Sequence, residues 1–272
     1  MKHCPANSKA ARFLAQGRAI TDNAITYMLR SNNADMTAYG GFTYPRKGEV
    51  SAPDWDASPR CGGGLHGLLR GEGDANLTHQ NQPGAVWLVC AVWRRDVVDL
   101  SGEKIKVPRA WVAFAGSRDE AVAHMQSLGC RMCIYGTETA GIGGTATAGN
   151  RGTATAGYGG TATAGYGGTA TAGNRGTATV GNRGTATAGY GGTATAGDWG
   201  TATAGNRGTA TAGDWGTATA GDWGTATAGY GGEIRIRWHD GKRFRTAVGY
   251  VGENGIEPNV PYVVRGGQLV RK

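Results

Sequence analysis

The sequence predicts two folds in series: an α+β amino-terminal domain over residues 1–135, then a narrow parallel β-solenoid over 136–231, with a β-hairpin carboxy-terminal cap over 232–272. Three observations carry this reading. Of the 50 glycines in 272 residues, 29 fall in twelve consecutive octapeptides of the form Gly-Thr-Ala-Thr-Ala-Gly-x-x, from Gly136 to Gly231. A fixed short period marks a stacked or wound architecture, and the absence of a Gly-X-Y period excludes collagen. Residues 1–135 are varied in composition, and beyond Gly232 the alternation persists with isoleucine in place of alanine.

In the amino-terminal domain, the apolar spacing from Ala10 to Leu29 (Ala11, Phe13, Leu14, Ile20, Ile25, Met28, Leu29) predicts a helix with Gly17 as its weak point. Thr37–Tyr44 reads as a strand, and Arg46–Arg60, with Pro45, Pro53 and Pro59, as turns. Ala85–Leu100 and Lys104–Ala115 hold two or more strands, the apolar run Val86–Trp93 among them. Arg118–Leu128 is a short helix with Ser117 as its N-cap.

Within an octad, Thr-Ala-Thr-Ala alternates with the strand period, so both threonines face one way and both alanines the other. Eight residues are too few for two strands and two turns, whereas sixteen suffice. Twelve octads therefore make six coils, roughly 29 Å long at the ~4.8 Å strand spacing. Alanine faces inward, since inward threonine would bury hydroxyls that need partners. Glycines take φ > 0 at the corners. The variable pair at positions seven and eight then stacks at period 16, placing Tyr158, Tyr166, Tyr190, Trp199, Trp215 and Trp223 along two edges. Arg207 falls one coil from Asp222 and Trp223. These groups either stabilise corners or form an aromatic edge that binds a partner.

The cap begins with Gly232-Glu233-Ile234-Arg235-Ile236-Arg237-Trp238 and turns at His239-Asp240-Gly241-Lys242 into a second strand. A further hairpin runs from Pro261 through Arg265-Gly266-Gly267 to Val270. Large apolar residues are what a solenoid end needs to cover its core and block edge pairing.

Two resemblances follow from these residues. Thr-Ala-Thr-Ala-Gly-Tyr-Gly-Gly resembles the repeat of bacterial ice-nucleation proteins, whose Thr-x-Thr ladders on a β-solenoid order water. The resemblance covers about a third of the chain, without that family's long array or its secretion-type amino-terminal region. It implies ice or water as a ligand of the outward ladders, here with Thr145, Thr147, Thr153, Thr155, Thr161, Thr163, Thr169 and Thr171 as binding residues. Cys61-Gly62-Gly63-Gly64-Leu65-His66 resembles the Cys-Gly-x-Gly-Leu-His motif of an uncharacterised domain of phage and prophage proteins that often precedes Gly-rich repeats. Cys61, Gly64, Leu65 and His66 match it, with Trp87–Val92 as the later strand; it implies a phage-associated protein without an established activity.

Chemistry has fewer candidates. His66 follows three glycines whose amides can approach an anion, so it is the catalytic candidate for a nucleotide-handling enzyme, with Glu72 or Glu103 as its acid. The bland alternative is a hydrogen-bonded histidine in a tight turn. Cys130-Arg131-Met132-Cys133 has no second pair, so a zinc site would recruit Cys61 or His66; the alternative is reduced, partly buried thiols. No cofactor is expected. The formal charge of +8 sits on the two flanks, the array being neutral. Arg235, Arg237, Arg243 and Arg245 form a basic strand surface suited to nucleic acid, although capping already explains the apolar half of that segment.

No apolar run approaches the ~18 residues of a membrane span, so no membrane partner is expected. The segment Met1–Lys9 lacks the apolar core of a secretory signal. An odd cysteine count of five fits a reducing compartment. The expected location is cytoplasmic, in a host cell if the protein is phage-encoded. The leading reading is a non-enzymatic, phage-type structural protein whose solenoid displays a globular head and binds a protein partner or self-assembles. Ice or surface binding through the Thr-x-Thr ladders is the alternative, followed by an enzyme centred on His66.

Overall fold

The computed structural model describes residues 8–19, 21, 23–78 and 82–272. Ile20, named above, and most of the Met1–Lys9 segment lie outside them. The chain divides into two compact units, Met1–Gly136 and Thr137–Lys272.

The first unit comprises α1 (Lys9–Ala15), β1 (Ile25–Asn32), β2 (Gly48–Ser51), β3 (Leu65–Leu69), β4 (Val86–Trp93), β5 (Val98–Leu100), β6 (Lys104–Val107), β7 (Arg109–Gly116) and α2 (Arg118–Ser127). Its strands form a sheet of order β2-β7-β4-β1-β3-β6-β5, every pairing antiparallel. β4 is buried throughout because both of its faces are covered. Trp87 and Val89 pack under α2 with Ala121, Val122 and Met125, and Ala91 and Trp93 pack under α1 with Leu14 and Ala15. On the other face Leu88, Cys90 and Val92 meet Met36, Tyr44 and Val50. α2 starts as its sequence indicates: Ser117 caps it, and Glu120 closes the reciprocal capping box.

Four expectations need correction here. The helix over Ala10–Leu29 is only α1, ending at Gln16 in the left-handed region, and Ile25–Leu29 belongs to strand β1. Tertiary pairing overrides the helical spacing, because β1 is sandwiched between β4 and β3 and buries Met28 and Leu29 on opposite faces. Thr37–Tyr44 is a turn held by one Thr37–Thr43 bridge, since Gly40 and Gly41 both adopt positive φ. The Arg46–Arg60 stretch contains the short edge strand β2, and His66 sits on strand β3 instead of in a tight turn.

The second unit is a parallel β-solenoid. Twelve four-residue strands, β8 (Thr137–Ala140) to β19 (Thr225–Ala228), fall at eight-residue intervals, and the first eleven pair in parallel with the strand sixteen residues on. Even and odd members form two sheets, so each coil takes two octads, as the period requires. Alanines fill the interior from Ala146 to Ala228, interrupted only by Val180. In the degenerate first coil Glu138 occupies an alanine position opposite Ala154.

The corners modify the expectation for glycine. Each turn closes with a hydrogen bond such as Gly160 N–H to Gly157 O, 3.1 Å. Only the eighth octad position has φ > 0, at +55° to +67° in all twelve octads, as the third residue of a type II turn requires. That position holds glycine five times, arginine four times and tryptophan three times. From Gly157 onward, glycines at positions one and six are needed for space. A Cβ on Gly176 would lie 2.7 Å from Gly160 O, and one on Gly197 2.1 Å from Asn182 Oδ1.

The cap continues both sheets. β20 (Glu233–His239) adds in parallel to β18 (Thr217–Ala220), setting Ile234 and Ile236 opposite Ala218 and Ala220, and turns back as β21 (Phe244–Tyr250). β22 (Tyr262–Arg265) joins β19 antiparallel and pairs with β23 (Gln268–Arg271). Val251, Ile256 and Tyr262 extend the alanine core with larger side chains. Among the described residues, no helix is long and apolar enough to cross a membrane.

Candidate functional site

The outward faces of the solenoid hold the threonines. In-register pairing aligns Thr153, Thr169, Thr185, Thr201 and Thr217 in one column and Thr155, Thr171, Thr187, Thr203 and Thr219 beside it. The opposite sheet aligns Thr145, Thr161, Thr177, Thr193, Thr209 and Thr225, with Thr147 and Thr163 in the companion column. Consecutive Thr-x-Thr pairs in the sequence therefore lie on opposite faces. Of the eight threonines expected to bind, Thr153, Thr155, Thr169 and Thr171 share one face and Thr145, Thr147, Thr161 and Thr163 the other. The first threonine of a pair is exposed and the second half-exposed through most of the array. Near the cap this changes, and Thr225 is only 7% exposed. Hydroxyls repeat at ~4.8 Å between coils and ~7 Å along a strand, giving a regular two-dimensional grid. The same period extends the grid to threonines such as Thr185 and Thr201, beyond the eight singled out.

The corners add a second array. At six of the seven octads with Asn or Asp at position seven, its Oδ1 accepts the backbone N–H of the residue sixteen on: Asn150 from Tyr166, Asn174 from Tyr190, Asn182 from Asp198, Asp198 from Asp214, Asn206 from Asp222 and Asp214 from Tyr230, at 2.8–3.0 Å. Tyr158, Tyr166, Tyr190, Trp199, Trp215 and Trp223 all point outward, and Trp223 is 82% exposed. Trp199 stacks on Trp215 with centroids 5.6 Å apart, and Trp215 meets Tyr230 edge-on at 5.6 Å. Arg207 joins Asp222 through its backbone amide, 2.8 Å, rather than through an ion pair.

The cap arginines are exposed, and three are engaged. Arg235 pairs with Glu233 at 2.9 Å, Arg245 pairs with Asp240, and Arg237 lies over Phe244 at 3.8 Å. Arg243 donates its backbone N–H to Asp240 Oδ1 at 2.8 Å, in the same turn. Arg235 continues the Thr219 column one step beyond the last threonine.

In the first unit, Cys61 and His66 line a cavity of about 850 Å3, whereas Glu72 and Glu103, the acids considered for His66, do not. The His66 ring bonds to the Gly64 backbone, and its Nε2 is buried without a partner. Burial, then the charges of Lys104, Arg30 and Lys106, lower the pKa of His66. The cavity also recruits Arg30, Tyr44 and Lys104, which sequence reading missed. Arg30 was detectable as a lone charge in the apolar run Ile25–Asn32, had that run been read as a strand. Cys130 and Cys133 are buried free thiols packed with Leu68 and Trp87. Burial raises both thiols, Cys133 to about 12. Among the described residues, no three His, Cys, Asp or Glu side chains are grouped to hold a metal ion.

Comparison with known proteins finds relatives of one kind. The chain is 32% identical over 99 residues to an ice nucleation protein of Pseudomonas fluorescens, covering 36% of this chain and 8% of that protein. It is 49% identical over 110 residues to an ice nucleation protein of Xanthomonas campestris pv. translucens, covering 40% of this chain and 7% of that one. An ice nucleation protein of Pseudomonas syringae pv. syringae is 35% identical over 101 residues, with 37% and 8% covered. The chain thus spans less than a tenth of the length of these relatives. No family model and no solved structure matches.

Proposed function

We propose that the solenoid binds ice or ordered surface water through its two threonine faces. The observation that carries this reading is the in-register grid of Thr-x-Thr pairs, exposed over most of both sheets. Each rung presents a methyl and a hydroxyl at strand spacing on a backbone already fixed by ladder hydrogen bonds. Water can be ordered there without an added conformational cost to the protein. The relatives' name, ice nucleation protein, agrees with this reading. Six coils form a small face, so growth inhibition of existing ice is expected rather than nucleation. The test is ice-recrystallisation inhibition and thermal hysteresis, comparing wild type with Thr185→Tyr and Thr177→Tyr, one bulky ring at mid-height on each face. Activity in the wild type that falls in the double variant, with circular dichroism unchanged, supports the reading. Inactivity of the wild type rejects it.

A second reading rests on the corners: a phage-type structural protein in which the aromatic edge binds a protein partner or another copy, acting in a cytoplasm. Trp199, Trp215 and Trp223 occupy left-handed positions that favour glycine, yet remain at least half exposed. Sedimentation velocity of wild type against Trp199→Gly/Trp215→Gly/Trp223→Gly tests the self-association form. A wild type monomeric at all concentrations rejects that form. Nucleic-acid binding by the cap is the weaker possibility, because Arg235, Arg237 and Arg245 are already engaged. Catalysis at His66 lacks its acid, since neither Glu72 nor Glu103 reaches the cavity.

A further inference from the structure

The 850 Å3 cavity in the first unit is independent of the solenoid, and its charge is unbalanced. Arg30 projects from β1 into its wall. Its Nε donates to Asn32 Oδ1 at 2.8 Å, and its Nη1 donates to the Tyr44 hydroxyl and to His66 O, the latter at 3.1 Å. All three acceptors are neutral, and no described carboxylate pairs with this guanidinium. A cation drawn into the protein without a counter-ion is costly to hold. Lys104 lines the same space, and Lys106 stands behind it, fully buried, donating to Arg60 O and Gly62 O at 2.8 Å each. The single acid in the lining, Asp54, accepts the Gly64 N–H at 3.2 Å.

Two further features point to a ligand. His66 Nε2 is a buried polar atom with its hydrogen-bonding capacity unspent, which is uncommon in folded proteins. The lining also combines these cations with an aromatic wall of Tyr39, Phe42 and Tyr44, and Tyr39 is wholly exposed. Gly62, Gly63 and Gly64 line the cavity, and Gly63 packs against the backbone, where a Cβ would lie 2.6 Å from Asp54 O. The volume lies within the ~300–1,000 Å3 of small-molecule sites. Arg30 Nη2, which donates to none of the three acceptors, is a charged donor suited to a phosphate oxygen, and the aromatic wall matches a flat ring.

We propose that this cavity binds a small phosphate ester carrying a planar ring, of nucleotide size, with its phosphate between Arg30 and His66 and its ring against Tyr39 and Phe42.

The test is titration calorimetry on the full chain with AMP, inorganic phosphate, adenosine and benzoate. AMP is expected to bind saturably, phosphate to compete with it, and adenosine to bind at least ~10-fold more weakly for want of the charge-assisted bonds. Arg30→Met should reduce AMP affinity at least ~10-fold, and it also removes the hydrogen bonds to Asn32 and Tyr44. Lys104→Ala, at the rim, should weaken AMP without altering the fold and serves if Arg30→Met does not fold. Overturning results are no saturable AMP or phosphate binding by wild type, or AMP binding unaffected in both variants. Benzoate binding as tightly as AMP overturns the assignment to phosphate.

Discussion

The eighth residue of each octad carries a conflict between backbone and side chain. All twelve adopt left-handed φ, and seven of them are arginine or tryptophan, in a region that costs an L-residue about 1–2 kcal/mol. Trp199 and Trp215 recover part of that by stacking, worth roughly 0.5–1.5 kcal/mol. No described ring stacks on Trp223, which projects into solvent. Trp223→Gly is therefore expected to stabilise the fold by about 0.5–1 kcal/mol, the relieved strain less the added entropy of an unfolded glycine. Trp215→Gly should be near neutral. Chemical denaturation of the two variants measures both, and a clear loss of stability in Trp223→Gly would show an unseen intramolecular role for that ring. Neither the strain nor the difference between glycines was visible in the repeat, which shows which residue recurs but not whether φ or crowding requires it.

At the level of single elements, the β20–β21 hairpin depends on one carboxylate. Asp240 accepts the backbone N–H groups of Arg243 and Lys242 and pairs with Arg245, and these hydrogen bonds lower its pKa to about 2. A depressed folded-state pKa contributes stability that is complete above the ordinary carboxylate pKa and is lost as pH falls towards 2. Amide exchange at Lys242 and Arg243 should accelerate as pH is lowered through that window, beyond the intrinsic pH effect on exchange. Asp240→Asn should flatten the excess; an unchanged profile would contradict the assignment. This hairpin was legible from His239-Asp240-Gly241-Lys242, because turn chemistry is local. Strand β1 was not. Its apolar residues suit a helix equally well in isolation, and only β4 and β3 on either side decide the matter.

For the whole molecule, legibility follows the range of the contacts. Every strand pairing within the array is a fixed sixteen residues long, so one octad implies all of them. The cavity joins residues 30, 44, 66 and 104 from four separate stretches, and no pattern in the chain relates them; only His66 was singled out. The same range argument makes stability modular. Deleting Gly168–Arg183 removes one full coil and should leave the cap, the core and both ladders in register. The expected loss is one nearest-neighbour increment of unfolding free energy, read as a small drop in the denaturation midpoint with native-like circular dichroism. Collapse of the fold on that deletion would show that the array is not additive.

The two terminal hairpins set one further property. Parallel stacking has no intrinsic end, because each coil offers the next a template identical to its own. β21 and β23 reverse the chain direction at the edge of each sheet, so another coil meets no matching template there. The molecule consequently has a defined terminus and an adjustable length. Recombination in whole-coil units would lengthen or shorten the threonine faces while the closing piece stays untouched, so the reach of the surface can evolve as a count rather than through new side chains.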